Sequence, residues 1–551
     1  MKTLRAQLLF SVVMLLGLSA CNKCTSDSQI ASDKNGAEAA NTGDKIFRYS
    51  RISDPKTLDP QAQLDSASAS FINSIYDRII DYHYLKRPYT LIPVLLKNMP
   101  ALDPNDPLTY VFELKEGINF HDNACFPNGK GRELVADDVL YTIKRFADIN
   151  INTNSWFMME GVIKGLDAFH EKTKNLGAGK VDHLTENVSG LKKLGKYKFA
   201  VTLTRKNPLA LYSFAVSSMS IVPHEAVTHY GDKFRSNPVG TGAFILEEYR
   251  KKQTMVLKKN TNYHMSYPTE GDSGDLEAGF LADAGKKLPL VDEVVIDFIP
   301  EAQPNMLKFE KGEIDWVAMD KDNFTKMVEK SADNKFILKP EFASKYTMYT
   351  EPGLDTSYMV FNMKHPVIGK NKYLRQALVH AFDPDDYIKM LNNGRGVRLS
   401  GIVPHSIAGS ENQISDSVMN YDIDLAINLM EKAGYPKGKG LQPIVLTMPG
   451  TSSAVKDSFE YYRAAFAKIG VILKPNYLTF PKYLKVVDAH NFEMATAAWV
   501  ADYPDAENFY QLLYGKSDSN NAAFVNKEFD ALYEQTVFKK MVPRGLLDLK
   551  R

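Results

Sequence analysis

Cysteine is scarce in this chain, with 3 in 551 residues, and tryptophan is no commoner. No cluster of Cys and His has zinc-ligand spacing. An oxidising compartment would permit a bond between Cys24 and Cys125, but nothing in the sequence requires one, and free thiols are the simpler reading. An excess of charge is missing too. Lys+Arg 67 against Asp+Glu 66 leaves a formal +1 with no basic block. That excludes binding driven by nucleic-acid phosphates. Catalytic signatures are absent: no G-x-x-x-x-G-K-[ST] phosphate loop, no H-E-x-x-H pair, no G-x-S-x-G elbow. Gly240-Thr241-Gly242 lacks the spacing of a dinucleotide fingerprint. Scattered Ser, His and Asp leave only an assembled triad open.

What the N-terminus does contain is specific. Lys2 and Arg5 precede an apolar run from Leu8 to Leu18, interrupted by Ser11 and Gly17. The run is too short to cross a bilayer core and suits the apolar region of a signal peptide. It ends in Leu18-Ser19-Ala20-Cys21, which resembles the bacterial lipoprotein signal. The expectation is a signal peptide over residues 1–20 and lipidation at Cys21; the alternative is a plain secretory signal with an incidental cysteine. Residues 21–44 lack aromatics and are rich in Ser, Asp, Asn, Ala and Gly, so they read as a flexible tether. No later run approaches membrane-spanning length, leaving acyl chains as the expected anchor.

Beyond residue 45 short strands alternate with amphipathic helices, which predicts an α/β fold. Tyr110 to Leu114, Phe199-Val201-Leu203 and Val294-Ile296-Phe298 carry large apolar residues at period two. Asp137, Asp383 (before Pro384) and Asp422 are predicted helix caps, the last opening a helix that ends at Gly434. Ser266 to Lys287, rich in Gly, Asp and Glu, reads as a surface loop. His121-Asp122 reads as a turn after a strand rather than an acid–base pair or metal site. No short repeat is present.

Several motifs then occur in a fixed order: Ser53 to Pro60, Phe112 to Asp122, Ala136-Asp137-Asp138-Val139 with Arg145, and Asn237-Pro238-Val239-Gly240-Thr241-Gly242-Ala243-Phe244. Asn260 to Tyr263, Gly312 to Asp315, Arg375 to Leu378 with Ala381-Phe382-Asp383, Ala433 to Pro436, and Trp499 to Asp505 follow. Together they resemble the oligopeptide- and dipeptide-binding proteins that serve ABC importers, over residues 46 to 532. Ala243 departs from the usual proline. The resemblance implies two hinged lobes of periplasmic-binding-protein type: lobe one over 45–300, with an inserted subdomain at about 66–210, and lobe two over 301–551. Family members continue farther and return to lobe one, so the end at Arg551 gives the expectation that this return is missing or truncated.

The resemblance also implies how a ligand is held. Protein main chain would pair with an extended peptide, and a carboxylate would meet the peptide ammonium, whose unpaired burial costs several kcal/mol. Asp502 stands at that position; a turn aspartate is the plainer reading of the residue alone. Trp499 is either a pocket wall or core, Tyr503 is at least as well explained by packing, and Tyr358 and Asn362 belong to a strand that can contact peptide backbone. The implied partners are a peptide, ABC permease subunits with separate ATPases, and a membrane through the lipid anchor, with no nucleic acid and no cofactor. The expected protein is a non-enzymatic monomer, periplasmic or at the cell surface. Alternatives are a secreted hydrolase, a binder of nickel, haem or an opine, and an adhesive or signalling lipoprotein.

Overall fold

The computed structural model describes residues 44–538, apart from 64, 154, 333–334, 351–352, 409, 411–415 and 518. The expected signal peptide, Cys21, Cys24, nearly all of the expected tether and Val542–Arg551 lie outside the described residues. The chain divides into two compact units. One comprises residues 44–202 with Ser213–Ala318; the other comprises Leu203–Tyr212 with residues from Met319 onward.

The first unit is closed by a parallel strand pair. Ile46–Arg51 lies beside Glu293–Phe298, in register from Ile46 with Glu293 to Arg51 with Phe298. Thr254–Lys259 and Phe244–Arg250 extend this sheet in antiparallel fashion. The expected alternation holds: Val294, Ile296 and Phe298 are buried and the residues between them less so. A second, antiparallel sheet runs Ala101–Asp103, Asp106–Glu113, Lys198–Thr202, Leu191–Lys193. Its core includes Phe112 stacked on Phe199, with ring centroids 4.8 Å apart.

The order-bearing motifs of this unit prove to be packing devices. Asp59 and Arg145 form a buried two-bond ion pair at 2.7 Å, and Arg145 also donates to the Gln61 carbonyl. Gly240 and Gly242 lie against the end of helix Ser66–Ile75, where an added Cβ would come within 2.2 and 2.5 Å of Ile75. Asn260 donates to the Gly242 carbonyl, while Thr241 and Tyr263 both donate to the buried Asp77. The predicted cap at Asp137 is displaced. Helix Ala136–Phe146 begins one residue earlier, and Asp138, clamped by Arg132 through two bonds, accepts the Val135 N–H instead.

The second unit is built on a mixed sheet ordered Asp355–Phe361, Met494–Val500, Ile444–Pro449, Leu473–Leu478. The first pair is antiparallel and the other two are parallel. Helices Lys372–Ala381, Ile423–Lys432 and Ser453–Ala467 cover one face and share a core with Leu378, Met430, Leu446, Phe466 and Met494. The other face packs against helix Phe480–Asp488 through Tyr483 and Val487. The predicted caps form here. Asp383 accepts from Asp386 N–H and Asp422 from Leu425 N–H, and Gly434 takes a left-handed φ of 84°.

Candidate functional site

Strand Met494–Val500 owes its place to its composition, Met-Ala-Thr-Ala-Ala-Trp-Val, whose small residues let helices approach both faces. Along one edge it pairs fully with Asp355–Phe361, from Val500 opposite Asp355 to Met494 opposite Phe361. On the other edge the neighbouring strand Ile444–Pro449 meets only Met494 and Ala495. From Thr496 to Val500 no described strand continues that edge. Ala501 N–H donates to the Leu354 carbonyl on the paired side. By alternation, the backbone groups of Ala498 and Val500 therefore face the open side. Ala498 is exposed, whereas Trp499 next to it is 8% exposed.

The chain leaves this half-open strand through Ala501, Asp502, Tyr503, Pro504 and Asp505. Asn508, fully buried, organises the exit. Its side-chain carbonyl accepts both the Trp499 indole N–H at 2.9 Å and the Asp502 backbone N–H at 3.1 Å. Its amide nitrogen donates to the Asp502 carboxylate at 3.4 Å. Asp502 is half-buried. Trp499 packs with Val403, Ile407, Ala506, Phe509 and Leu512, so its ring belongs to a small core directly under the exit.

Tyr503 donates its hydroxyl to Glu507, which also accepts from Tyr533 of the last described helix, Lys527–Phe538. Its ring stacks on Tyr212, with centroids 5.7 Å apart. Burial pushes the Glu507 carboxyl up from its usual range, against the two tyrosine hydroxyls that lower it, and burial raises Asp505 as well. Tyr358 lies on the same face as Trp499, two positions from Thr356, which pairs with the tryptophan. It is half-buried, and burial raises its hydroxyl well above the ordinary value. Asn362 is set apart. It follows the far end of its strand, and its amide nitrogen donates to the His490 and Phe492 carbonyls while its oxygen accepts the Lys364 N–H. Trp499, Asp502 and Tyr503 thus gather at one end of the strand pair, Tyr358 stands at its middle on the face of Trp499, and Asn362 lies past the other end.

The residues that sequence reasoning missed are Asn508 and Glu507. Their signal was faint: both polar groups open a short helix just after the Trp-x-x-Asp run, where Ala506 and Phe509 bury its apolar side. Among the described residues no group of three or more His, Cys, Asp or Glu is placed to hold a metal ion. No described helix is long and apolar enough to cross a membrane.

Comparison with known proteins fits this geometry. The model of bacterial extracellular solute-binding proteins, family 5 Middle, matches residues 90–521. Heme-binding protein A of Haemophilus influenzae is 25% identical over 551 residues, spanning 97% of this chain and 88% of its own. The dipeptide-binding protein of Escherichia coli K12 is 25% identical over 510 residues, spanning 90% of this chain and 84% of its own. Among solved structures, the ABC transporter-associated periplasmic binding protein DppA of Helicobacter pylori, in complex with the peptide STSA, aligns with a TM-score of 0.63. Its sequence is 23% identical, and the alignment covers 92% of this chain and 89% of that one. With the family model spanning well over half its length, the chain belongs to family 5 of the bacterial extracellular solute-binding proteins.

Proposed function

We propose that this protein captures peptides outside the cytoplasm and delivers them to the permease of an ABC importer, without chemical change to the ligand. The observation that carries the reading is the half-open edge of strand Met494–Val500 leading straight into Asp502. An extended peptide adds to such an edge through main-chain hydrogen bonds, which are indifferent to its side chains. A peptide docked there has its ammonium in need of a carboxylate, and Asp502 is the carboxylate at the strand's exit, held in place by Asn508. Trp499 supports this end from below rather than lining it. The relatives that bind dipeptides and the peptide STSA support the ligand class. Acylation at Cys21 would keep the protein at a bacterial membrane, in the periplasm or at the cell surface, where a monomer suffices for delivery.

The test is calorimetric titration with di- to pentapeptides and with hemin, on wild type and Asp502→Asn, using free and N-acetylated peptides. Loss of the charged partner is expected to cost about 2–5 kcal/mol for free peptides. It should cost much less for acetylated ones, so the double-mutant cycle shows strong coupling. Two losses that simply add would remove Asp502 from the ammonium site. Binding of hemin alone, or cleavage of the peptides, would overturn the peptide-carrier reading itself.

A further inference from the structure

One carboxylate of the second unit stands beside the half-open strand. Asp355 opens strand Asp355–Phe361, opposite Val500, and Ser357 follows opposite Ala498. Side chains alternate along a strand and directly opposite residues share a face, so these four lie on the face turned away from Trp499. Farther along that face Met359, Phe361 and Met494 pack into the core shared with the three covering helices. The cover ends before the strand does: Asp355, Ser357 and Ala498 are all exposed. The Asp355 carboxylate makes no hydrogen bond or ion pair among the described residues. Protein around it displaces enough water to raise its pKa from the ordinary value, with no cation acting to lower it. Asp383 and Asp422 of the same unit show the contrast, since each accepts a helix N–H.

A peptide added along the open side of Ala498 and Val500 is separated from Asp355 only by strand Met494–Val500 itself. Two strand spacings, about 9.6 Å, divide its main chain from that of Asp355. A lysine or arginine side chain crosses most of that span, and the aspartate side chain supplies the rest. Ala498 lies between them with only a methyl group. An aliphatic stem can rest on it while the charged head stays in water beside the carboxylate. A carboxylate stripped of part of its water gains from a cation brought close to it. We propose that Asp355 selects peptides that carry a basic side chain on the Ala498 face of the added strand. This rests on the peptide reading above and deepens it: main-chain pairing supplies affinity, and Asp355 adds a preference. Neighbouring peptide residues point to the Trp499 face, so the preference does not extend to adjacent positions.

The experiment uses alanine tripeptides with lysine, glutamate or uncharged norleucine placed at each position in turn. Calorimetry at low salt compares them on wild type, Asp355→Asn and Asp355→Lys, with thermal melts confirming that each variant folds. In wild type, lysine is expected to bind about 2- to 5-fold more tightly than norleucine at positions of one parity, as for an exposed ion pair, and equally at the others. Asp355→Asn should remove that advantage, and Asp355→Lys should turn the preference to glutamate at the same place. An advantage that persists in Asp355→Asn, or that appears equally at every position, would overturn the assignment while leaving the peptide reading intact. So would a wild type that binds the norleucine peptides and gains nothing from lysine, a result that needs no variant at all. If wild type binds none of these tripeptides and none of the peptides of the previous section, the peptide reading falls and takes this assignment with it.

Discussion

His121 shows how far one side chain can depart from its sequence context. The sequence places His121-Asp122 in a turn, and Asp122 does serve one, accepting from Gly131 N–H and pairing with Lys130. His121 instead points into the core at 5% exposure, with Nε2 2.9 Å from the Gly242 carbonyl. Burial pushes its pKa down to about 4, so the ring is neutral in the folded protein and donates from Nε2. The unfolded chain takes up this proton near pH 6.5, the folded one only near 4. The contribution of this group to stability is therefore fully present above about pH 6.5 and is lost as pH drops toward 4. One group shifted this far accounts for about 3 kcal/mol. Urea midpoints at pH 7 and pH 4.5, read by tryptophan fluorescence, should drop steeply in wild type and less in His121→Gln. The burial was illegible because Gly242, the residue that receives the ring, lies more than a hundred positions away. The same limit explains Asn362. Sequence put it on the strand with Tyr358, whereas it lies one residue past the end of that strand, and Tyr358, at the strand's middle, shares the face of Trp499.

Where elements meet, the sequence was legible in proportion to how local the cause was. Asp383 and Asp422 cap their own helices, because an aspartate three residues from a free N–H needs no help. Asp137 is not the cap: the helix starts at Ala136 with Val135 as its N-cap, and Asp138, fixed by Arg132 from outside the helix, accepts the Val135 N–H. Glycine positions carry a similar lesson. Gly242 is required by the helix end it touches, since a methyl group there would sit 2.5 Å from the Ile75 carbonyl carbon. Gly195 has only Lys198 Cβ near it, at 3.9 Å. Gly242→Ala is thus expected to destabilise the first unit by about 1–3 kcal/mol or more, and Gly195→Ala to stay within about 0.5 kcal/mol of wild type. Chemical denaturation of the two variants side by side checks this. Similar midpoints for both would mean that the loop yields without cost.

At the scale of the whole chain, each unit carries its own buried core and its own tryptophans, Trp156 and Trp316 in the first and Trp499 in the second. Separate cores permit separate melting. Scanning calorimetry is expected to show more than one transition, and a variant keeping only Trp499 should report the second unit alone. Coincident transitions by every probe would show that the two unfold as one. The sequence marks a crossing near residue 300, where a strand ends, whereas the compact division falls at Met319. The intervening segment stays with the first sheet: Asp315 N–H donates to the Arg48 carbonyl, the Arg48 N–H donates to the Asp315 carboxylate, and Trp316 bridges to Tyr49. Tertiary bonds of that kind leave no periodicity to read.

The loop from Ser266 to Lys287 offers a practical handle. Its two ends are fastened by the Ser266–Lys287 bridge and by Tyr267 N–H on the Lys286 carbonyl, and Tyr267 also rests edge-on against Tyr84. Between those fastenings the chain is largely exposed, Leu276 to 71%. A length of chain clipped at its base and free at its tip transmits little strain inward. An affinity tag or a fluorophore-bearing cysteine spliced near Leu276 would therefore let the intact protein be captured or followed while both cores and the Asp502 strand keep their native sequence.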